Sequence, residues 1–325
     1  MTSANWTSLL LSHSAPASET WLAVAAALRD LALAADGPDD LQAETVLPDR
    51  LLAEAAFGLW DAFPASAPHT SARLRDWCAA PPLAGASGKA VLVLDALSLR
   101  EMWLLSDEAR RRGIAPAALD VSFSEAPPDT NAFAAALGAS SRAALKDDGK
   151  TSSFRLFGGN CFTDVSDLPF ADVPVPPIPN LVLWHSDLDD RIHAAGSKTV
   201  SDVFRQTTRL FCDDGFWAFV DRLRTGRQLV ITSDHGYADA AKFSTEIREP
   251  LEALAFLREN FHGQRFARMA PPDRHFLPPL FASRDGVCMV TGQRKWPVQG
   301  GFPKICHGGL SLLEVASPWI ELPPK

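Results

Sequence analysis

The sequence predicts an α/β fold with a mostly parallel central sheet, preceded by a small helical region. Short, wholly apolar runs at 91–94, 181–184 and 229–231 are typical of buried strands in a parallel sheet. Polar residues and a segment with helical periodicity follow these runs, which is the alternation that α/β folds show. The Ala- and Leu-rich start of the chain lacks such runs, so we expect a helical region at 1–86 and the α/β domain at 87–325.

The composition is that of an ordinary globular protein. Of 325 residues, 46% are hydrophobic and 22% are charged, and the net charge of −8 argues against direct binding of duplex DNA. The five cysteines are scattered and form no Cys-x-x-Cys pair, which favours a reducing cytoplasm over a disulfide framework. The sequence shows no secretory signal and no apolar run of membrane-spanning length, so we expect a cytoplasmic protein without membrane contact.

The remaining elements are predicted from periodicity and from turn residues. Strands are expected at 117–123, 153–157 and 286–292, and helices at 99–111, 199–225, 245–261 and 311–315. The proline-rich stretch 143–179, which contains the second of these strands, has the weak patterning of an insertion.

The segment 228–236 (Gln-Leu-Val-Ile-Thr-Ser-Asp-His-Gly) carries the clearest chemical signal. Asp234 and His235 follow directly on an apolar strand. An adjacent carboxylate and imidazole suit zinc or manganese better than magnesium. Gly236 is expected to allow a sharp turn behind them. The alternative is a strand that simply ends in a polar turn.

Two other strand ends offer ligand-type residues. Asp95 ends the run 91–94, and Ser98 follows three residues later at the start of a predicted helix, where a capping role is its alternative. Asp189 and His193 follow the run 181–184 and lie four residues apart, the spacing that places both on one helix face. Asp187 remains an alternative to Asp189 in this acidic segment.

A fourth candidate, His307, precedes two glycines and the predicted helix at 311–315, in which Ser311 and Glu314 have capping-box spacing. A structural role is its alternative. Because strands of an α/β sheet open into a common crevice at their carboxyl ends, we expect these distant residues to meet. Three carboxylates, three imidazoles and a hydroxyl suffice for two divalent metal ions, with zinc the first choice and manganese the second.

The order Asp-x-x-Ser, Asp-x-x-x-His, Asp-His and His resembles that of the alkaline phosphatase superfamily. The segments 93–98 (Val-Leu-Asp-Ala-Leu-Ser), 231–236 (Ile-Thr-Ser-Asp-His-Gly) and 307–315 (His-Gly-Gly-Leu-Ser-Leu-Leu-Glu-Val) are similar to its PglZ-domain branch. That branch is known from bacterial phage-defence systems of the BREX type and from response-regulator proteins. The resemblance runs from residue 89 to the end of the sequence and implies a three-layer, alkaline-phosphatase-like domain.

The resemblance also implies a role for each candidate residue. Ser98 would be the nucleophile between the two ions, and Arg100 is the candidate for neutralising a substrate phosphate, with a surface role as its alternative. This sequence differs from the family pattern at two positions: Ser98 stands where Thr is frequent, and Ile192 stands where Gly is frequent. The implied ligand sets are Asp95, Asp234 and His235 for one ion and Asp189, His193 and His307 for the other.

The function that follows is metal-dependent hydrolysis of phosphate esters by a phosphodiesterase or phosphatase. Nucleotides or oligonucleotides are the expected substrates, and other defence-system proteins are the expected partners. The main alternative is a non-catalytic scaffold subunit of a phage-defence complex that keeps its metal for folding. Sulfuryl transfer, phosphate mutase chemistry and direct nuclease action on DNA rank below these two.

Overall fold

The computed structural model describes residues 5–12, 15–193, 199–272, 276, 278–298 and 305–325. The α-helices are α1 (Trp6–Leu10), α2 (Ala17–Ala34), α3 (Pro38–Glu44), α4 (Val46–Glu54), α5 (Gly58–Ser66), α6 (Thr70–Ala79), α7 (Met102–Arg111), α8 (Thr130–Ala136), α9 (Asp187–His193), α10 (Val200–Phe211), α11 (Asp214–Arg224), α12 (Leu251–Phe261) and α13 (Leu312–Val315). The strands are β1 (Gly88–Leu94), β2 (Ala118–Phe123), β3 (Phe162–Ser166), β4 (Asn180–His185), β5 (Arg227–Thr232), β6 (Ala238–Asp239), β7 (Thr245–Glu246), β8 (Phe266–Arg268), β9 (Phe281–Arg284), β10 (Val287–Val290), β11 (Arg294–Lys295), β12 (Ile305–Cys306) and β13 (Ala316–Leu322). Short 3-10 helices lie at Leu99–Glu101, Ala143–Asp148, Leu156–Gly159 and Ala240–Lys242.

A six-stranded sheet in the order β2-β13-β5-β1-β4-β3 forms the centre of the molecule. Strand β1 pairs in parallel with β4 and β5, and β3 pairs in parallel with β4. Strand β13 runs antiparallel to both β2 and β5, so the other five strands of this sheet share one direction. The predicted α/β class with a mostly parallel sheet is confirmed.

Helices cover both faces of the sheet, which gives three layers. Leu92 and Leu94 of β1 pack in one cluster with α2, α5, α7 and α11, whereas Val91 and Val93 pack in a second cluster with α6 and α8. This alternation is the period of two expected for a strand buried on both faces. Because α2, α5 and α6 belong to these clusters, the predicted helical region shares its core with the α/β domain.

Aromatic side chains attach the helical region to strand β2. Trp21 and Phe63 pack edge-on against Phe123, at ring-centroid distances of 5.3 and 5.7 Å. His69, just before α6, has its two ring nitrogens 2.8 Å from the Ser124 carbonyl and 3.1 Å from the Phe63 carbonyl. Such packing removes large apolar surfaces from water and fixes these helices on the sheet.

Two of the predicted elements within 143–225 are wrong. The strand predicted at 153–157 is absent: Phe157 has a φ of +54°, which ends any extended run, and the nearby strand is β3 at Phe162–Ser166. The single helix predicted at 199–225 is divided into α10 and α11, because Asp213 adopts an extended conformation and accepts a hydrogen bond from the Gly215 N–H at 2.7 Å.

Two predictions in the last third of the chain are also corrected. The helix expected at 245–261 begins at Leu251, after Pro250, and Thr245–Glu246 instead forms β7, paired with β11. Strand β13 is not predicted at all, because Pro318 in its middle is a residue that sheets usually exclude. Among the described residues, no helix is long and apolar enough to cross a membrane.

Candidate metal centre

The carboxyl ends of β1 and β5 lie side by side and place Asp95 and Asp234 at the same edge of the sheet. The two strands pair in parallel up to Val93 and Thr232, so Asp95 and Asp234 leave the sheet at the same edge. Ala96 then turns the chain with a φ of +61°, a left-handed conformation that costs about 1 kcal/mol for a residue other than glycine. The Ala96 N–H donates to Asp234 Oδ1 at 3.0 Å, which holds the two strand ends together.

Asp95, Asp234 and His235 form the first donor group. One ligand atom from each lies within 4.8 Å of the others, and all three residues are fully buried. The Nδ1 atom of His235 lies 3.0 Å from the Gly236 carbonyl oxygen, to which it donates, so Nε2 is the nitrogen that faces the two carboxylates. That Nε2 has no hydrogen-bond partner among the described residues, although Asp234 Oδ2 is 3.5 Å away. A buried imidazole nitrogen in this state fits a metal ligand.

A second donor group consists of Asp189, His235 and His307, again with ligand atoms within 4.8 Å of one another. The His235 and His307 rings are stacked at a centroid distance of 4.3 Å. His307 Nδ1 is 3.3 Å from the Pro128 carbonyl oxygen, which leaves its Nε2 available for a ligand. The two groups therefore meet at His235.

In helix α9, the two acids at 187 and 189 have different partners. Asp187 is paired with Arg191 one turn later, the two being joined by hydrogen bonds from Nε and Nη2. Asp189 instead lies 3.3 Å from Nε2 of His193, at the predicted spacing of four residues. The His193 ring also approaches His307, at a centroid distance of 5.8 Å. His193 therefore lies at the exposed edge of the second donor group.

The pKa shifts follow from burying three acids together. Burial and the nearby Asp234 carboxylate raise the pKa of Asp95 well above its ordinary value. Burial opposes ionisation of Asp189 too, but contact with His193 and the neighbouring His235 outweighs it and lowers the pKa. Burial and His235 lower the pKa of His307 to about 4, so its imidazole is neutral at neutral pH, as a ligand requires. Divalent cations would offset this concentration of carboxylates.

Ser98 and Arg100, the predicted nucleophile and phosphate contact, lie in a different environment. Ser98 is fully buried, and its Oγ accepts hydrogen bonds from the Arg100 N–H at 3.3 Å and from Nη1 at 3.2 Å. Its own N–H donates to Glu101 Oε2 at 3.1 Å, as in a capping box. Arg100 also donates to the Tyr237 carbonyl at 2.5 Å and to Gln42 Oε1 at 2.6 Å. None of these contacts is with a donor-group residue.

A hydroxyl other than that of Ser98 lies against the first donor group. Thr130, the first residue of α8, donates a hydrogen bond to Asp234 Oδ2 at 2.8 Å and lies 3.4 Å from Asp95 Oδ1. Its side chain is partly exposed, in contrast to Ser98. Asp129 caps the helix by accepting from the Ala132 N–H at 2.6 Å, which fixes the start of α8. A threonine in a first helical turn is common, so no local pattern identifies this one.

Two further side chains donate to Asp95. The Trp184 Nε1–H donates to Asp95 Oδ2 at 3.1 Å, and Arg142 pairs with the same oxygen. Asp95 Oδ1 is thereby left facing Thr130 and, at 3.9 Å, His235 Nε2. Trp184 ends an apolar run and Arg142 lies just before the predicted insertion, so neither has a local signature of this role.

Gly236 is required for a reason other than the predicted turn. A Cβ atom on this residue would lie 2.3 Å from the Leu313 carbonyl oxygen and 2.8 Å from that of Ala316. The Gly236 N–H donates to the Glu314 carbonyl at 2.9 Å. The backbone behind His235 thus packs directly on the segment that follows His307, and only glycine leaves room for this approach.

The predicted capping box at 311–314 does not form around α13. The Glu314 carboxylate instead accepts from Arg265 Nε at 3.1 Å and Nη2 at 2.9 Å, and from the Gly309 N–H at 3.0 Å. The Ser311 hydroxyl donates to the same carboxylate at 2.5 Å. This buried ion pair fixes the loop that carries His307.

No protein-family model and no curated protein matches the sequence. Matching solved structures include phosphonoacetate hydrolase from Sinorhizobium meliloti 1021 in complex with phosphonoformate, with 13% identity, a TM-score of 0.40 and coverage of 73% of this chain and 90% of that one. They also include murine ectonucleotide pyrophosphatase/phosphodiesterase 5, with 13% identity, a TM-score of 0.42 and coverage of 73% of this chain and 88% of that one. At such TM-scores and identities, these similarities assign neither a family nor an activity to this chain.

Proposed function

We propose that this chain is a metal-dependent phosphoester hydrolase of the alkaline phosphatase superfamily, with Thr130 rather than Ser98 as its nucleophile. The observation that carries the proposal is the hydroxyl of Thr130 on the buried Asp95–Asp234 pair, beside two donor groups that meet at His235. Ser98 remains the nucleophile that the sequence motifs favour, but its hydroxyl is buried and bonded to Arg100.

The donor set fits two divalent ions, with zinc as our first choice and manganese as the second. Asp95, Asp234 and His235 would hold one, and Asp189, His307 and His193 the other. Ions bound there would lower the pKa of a coordinated hydroxyl and offset the charge of a transferring phosphoryl group.

The proposed reaction proceeds through Thr130. Its Oγ1 forms a bond to phosphorus as the bond from phosphorus to the ester oxygen breaks, and the hydroxyl proton is transferred to solvent. The leaving alcohol takes the electron pair of the broken bond and then a proton. Water next attacks the phosphothreonine, which releases phosphate and restores the hydroxyl. Asp234 holds the Thr130 hydroxyl in place through its 2.8 Å hydrogen bond, which reduces the freedom that the attacking oxygen must lose.

The test compares Thr130→Ala, Thr130→Ser and Ser98→Ala in the hydrolysis of aryl phosphate monoesters and diesters with added zinc or manganese. Loss of a nucleophile should lower the rate by at least about 10³-fold, so we expect that loss in Thr130→Ala. Thr130→Ser keeps a hydroxyl and should retain measurable turnover. Mass spectrometry of acid-quenched protein should find the phosphoryl adduct on Thr130.

Ser98→Ala is the matched control, since it removes the other candidate hydroxyl. We expect it to reduce activity far less than Thr130→Ala, with any change accompanied by a lower melting temperature. An adduct on Ser98, or undiminished turnover in Thr130→Ala, would refute the assignment of the nucleophile. Absence of metal-dependent turnover in the wild type would refute the hydrolase itself.

The cellular setting is proposed on the sequence motifs alone. We place the protein in the cytoplasm, in a phage-defence system with protein partners, acting on nucleotides or oligonucleotides. The alternative is a non-catalytic scaffold subunit of such a system, which would keep its metal for folding. Zinc that raises the melting temperature without supporting turnover of any ester would favour the scaffold.

A further inference from the structure

Arg142 reaches the donor groups from a loop that is firmly anchored. Leu145, three residues later, is buried in the core cluster that contains Val93 and Trp184, and its N–H donates to the Arg142 carbonyl at 3.0 Å. Phe154 and Leu156 are buried in the same cluster. The position of the Arg142 backbone is therefore set by apolar packing on the sheet.

The side chain of Arg142 lies at the solvent side of the acids. Its guanidinium pairs with Asp95 Oδ2, the oxygen that Trp184 Nε1 also contacts. The Arg142 side chain is 29% exposed, whereas that of Asp95 is 0% exposed. A guanidinium has five N–H donors in a planar fork, so a contact with one carboxylate oxygen leaves donors for a second anion.

We propose that Arg142 binds the phosphoryl oxygens of the substrate and that this substrate is a terminal phosphate monoester. The proposal rests on the proposed function and deepens it. A monoester dianion has three non-bridging oxygens, whereas an internal diester has two and a single negative charge. Because Coulomb attraction scales with charge, a fixed cation beside the donor groups favours the dianion. The arginine supplies this cation in a form suited to bidentate contact with phosphate.

An alternative role for Arg142 is to orient Asp95 only. Trp184 makes that alternative testable, since it donates to the same Asp95 oxygen but is fully buried in the core. Trp184→Phe removes the orienting hydrogen bond and keeps the cation. Lys146, an exposed residue on the same loop, supplies a control for loss of one positive charge, through Lys146→Gln.

The experiment titrates inorganic phosphate into zinc-saturated protein by calorimetry, with the zinc content of each variant measured beforehand. A charge-assisted hydrogen bond corresponds to roughly a 10- to 100-fold change in affinity, so Arg142→Gln should raise the phosphate Kd by about that factor at unchanged zinc content. The phosphate Kd of Arg142→Lys should lie between those of the wild type and Arg142→Gln. Lys146→Gln should bind phosphate as the wild type does, and Trp184→Phe, compared at equal zinc content, should raise the phosphate Kd less than Arg142→Gln because it keeps the cation. In hydrolysis, Arg142→Gln should lower kcat/KM at least about tenfold more for an aryl monoester than for a diester.

Distinct results separate this proposal from the proposed function. Unchanged phosphate affinity in Arg142→Gln, or an equal loss of kcat/KM on both ester types, overturns the role of Arg142 and leaves the hydrolase intact. If Arg142→Gln and Trp184→Phe both lose zinc, the role of Arg142 is to orient Asp95, and the proposal is overturned. A wild-type protein that binds neither zinc nor phosphate overturns the proposed function itself.

Discussion

Asp49 connects the helical region to the loop after His307, and its ionisation should make the stability of the protein depend on pH. It lies in α4, is 1% exposed, and accepts hydrogen bonds from the Leu312 N–H at 2.8 Å and from Gln293 Nε2 at 2.9 Å. Burial raises its pKa from 3.8 to about 7, in spite of these hydrogen bonds. Below pH 7 the folded state therefore holds a proton that the unfolded state releases near pH 4.

The sign and size of the effect follow from this difference. A carboxyl whose pKa is raised by folding contributes stability that is full below its unfolded pKa and is lost as the pH rises through its folded pKa. With pKa values of 3.8 and about 7, that contribution falls by about 3 kcal/mol between pH 5 and pH 8. Asp49→Asn removes the titration. Asparagine still accepts from Leu312, and rotation of the Gln293 amide would turn its Oε1, which has no partner among the described residues, toward the new N–H2 group.

The assay is urea unfolding of chelator-treated protein, followed by tryptophan fluorescence at pH 5 and pH 8. We expect the free energy of unfolding of the wild type to fall, relative to that of Asp49→Asn, by about 3 kcal/mol between the two pH values. Glu44→Gln, an exposed substitution on the neighbouring helix α3, should follow the wild type. If the wild type and Asp49→Asn change in parallel from pH 5 to pH 8, Asp49 does not titrate as argued.

Two further predictions concern the residues around His235. Gly236→Ala places a methyl group 2.3 Å from the Leu313 carbonyl oxygen and should destabilise the metal-free protein by about 2 kcal/mol or more, whereas Gly58→Ala, with no atom within 4 Å, should stay within about 0.5 kcal/mol. Equal melting temperatures for the two variants would contradict the close packing behind His235. His235→Ala should lower the zinc content by elemental analysis, because its buried Nε2 faces the Asp95–Asp234 pair and its ring stacks on that of His307, whereas His193→Ala, at the exposed edge, should lower it less; the reverse order would refute the central role of His235.

The parts of the fold that depend on local pattern could be predicted. Four of the strands in the central sheet, β1, β2, β4 and β5, lie where apolar or β-branched runs indicate. The ligand-type residues at their ends meet because parallel pairing sends neighbouring strands to the same edge. The errors fall where local and tertiary preferences conflict. Pro318 argues against a strand, yet its segment β13 is inserted between β2 and β5.

The candidate site likewise combines features that a local pattern predicts with features that depend on tertiary packing. The spacing of Asp189 and His193 on one helix turn is a local property, and the structure reproduces it. Which hydroxyl lies against the donor groups is not a local property. A serine and a threonine at helix starts look alike in sequence, but the β1 turn directs Ser98 toward Arg100, and the path of the chain after β2 brings Thr130 to Asp234.

By itself, the sequence determined the strand-end acids and imidazoles and their order, because apolar runs set where strands end and parallel strands share an edge. Only the tertiary structure decided which hydroxyl and which arginine approach those acids. Thr130 and Arg142 lie about 35 and 47 residues beyond Asp95 in the chain. Their approach depends on how intervening helices and loops pack on the sheet, and that packing is the sum of many long-range contacts that no short segment encodes.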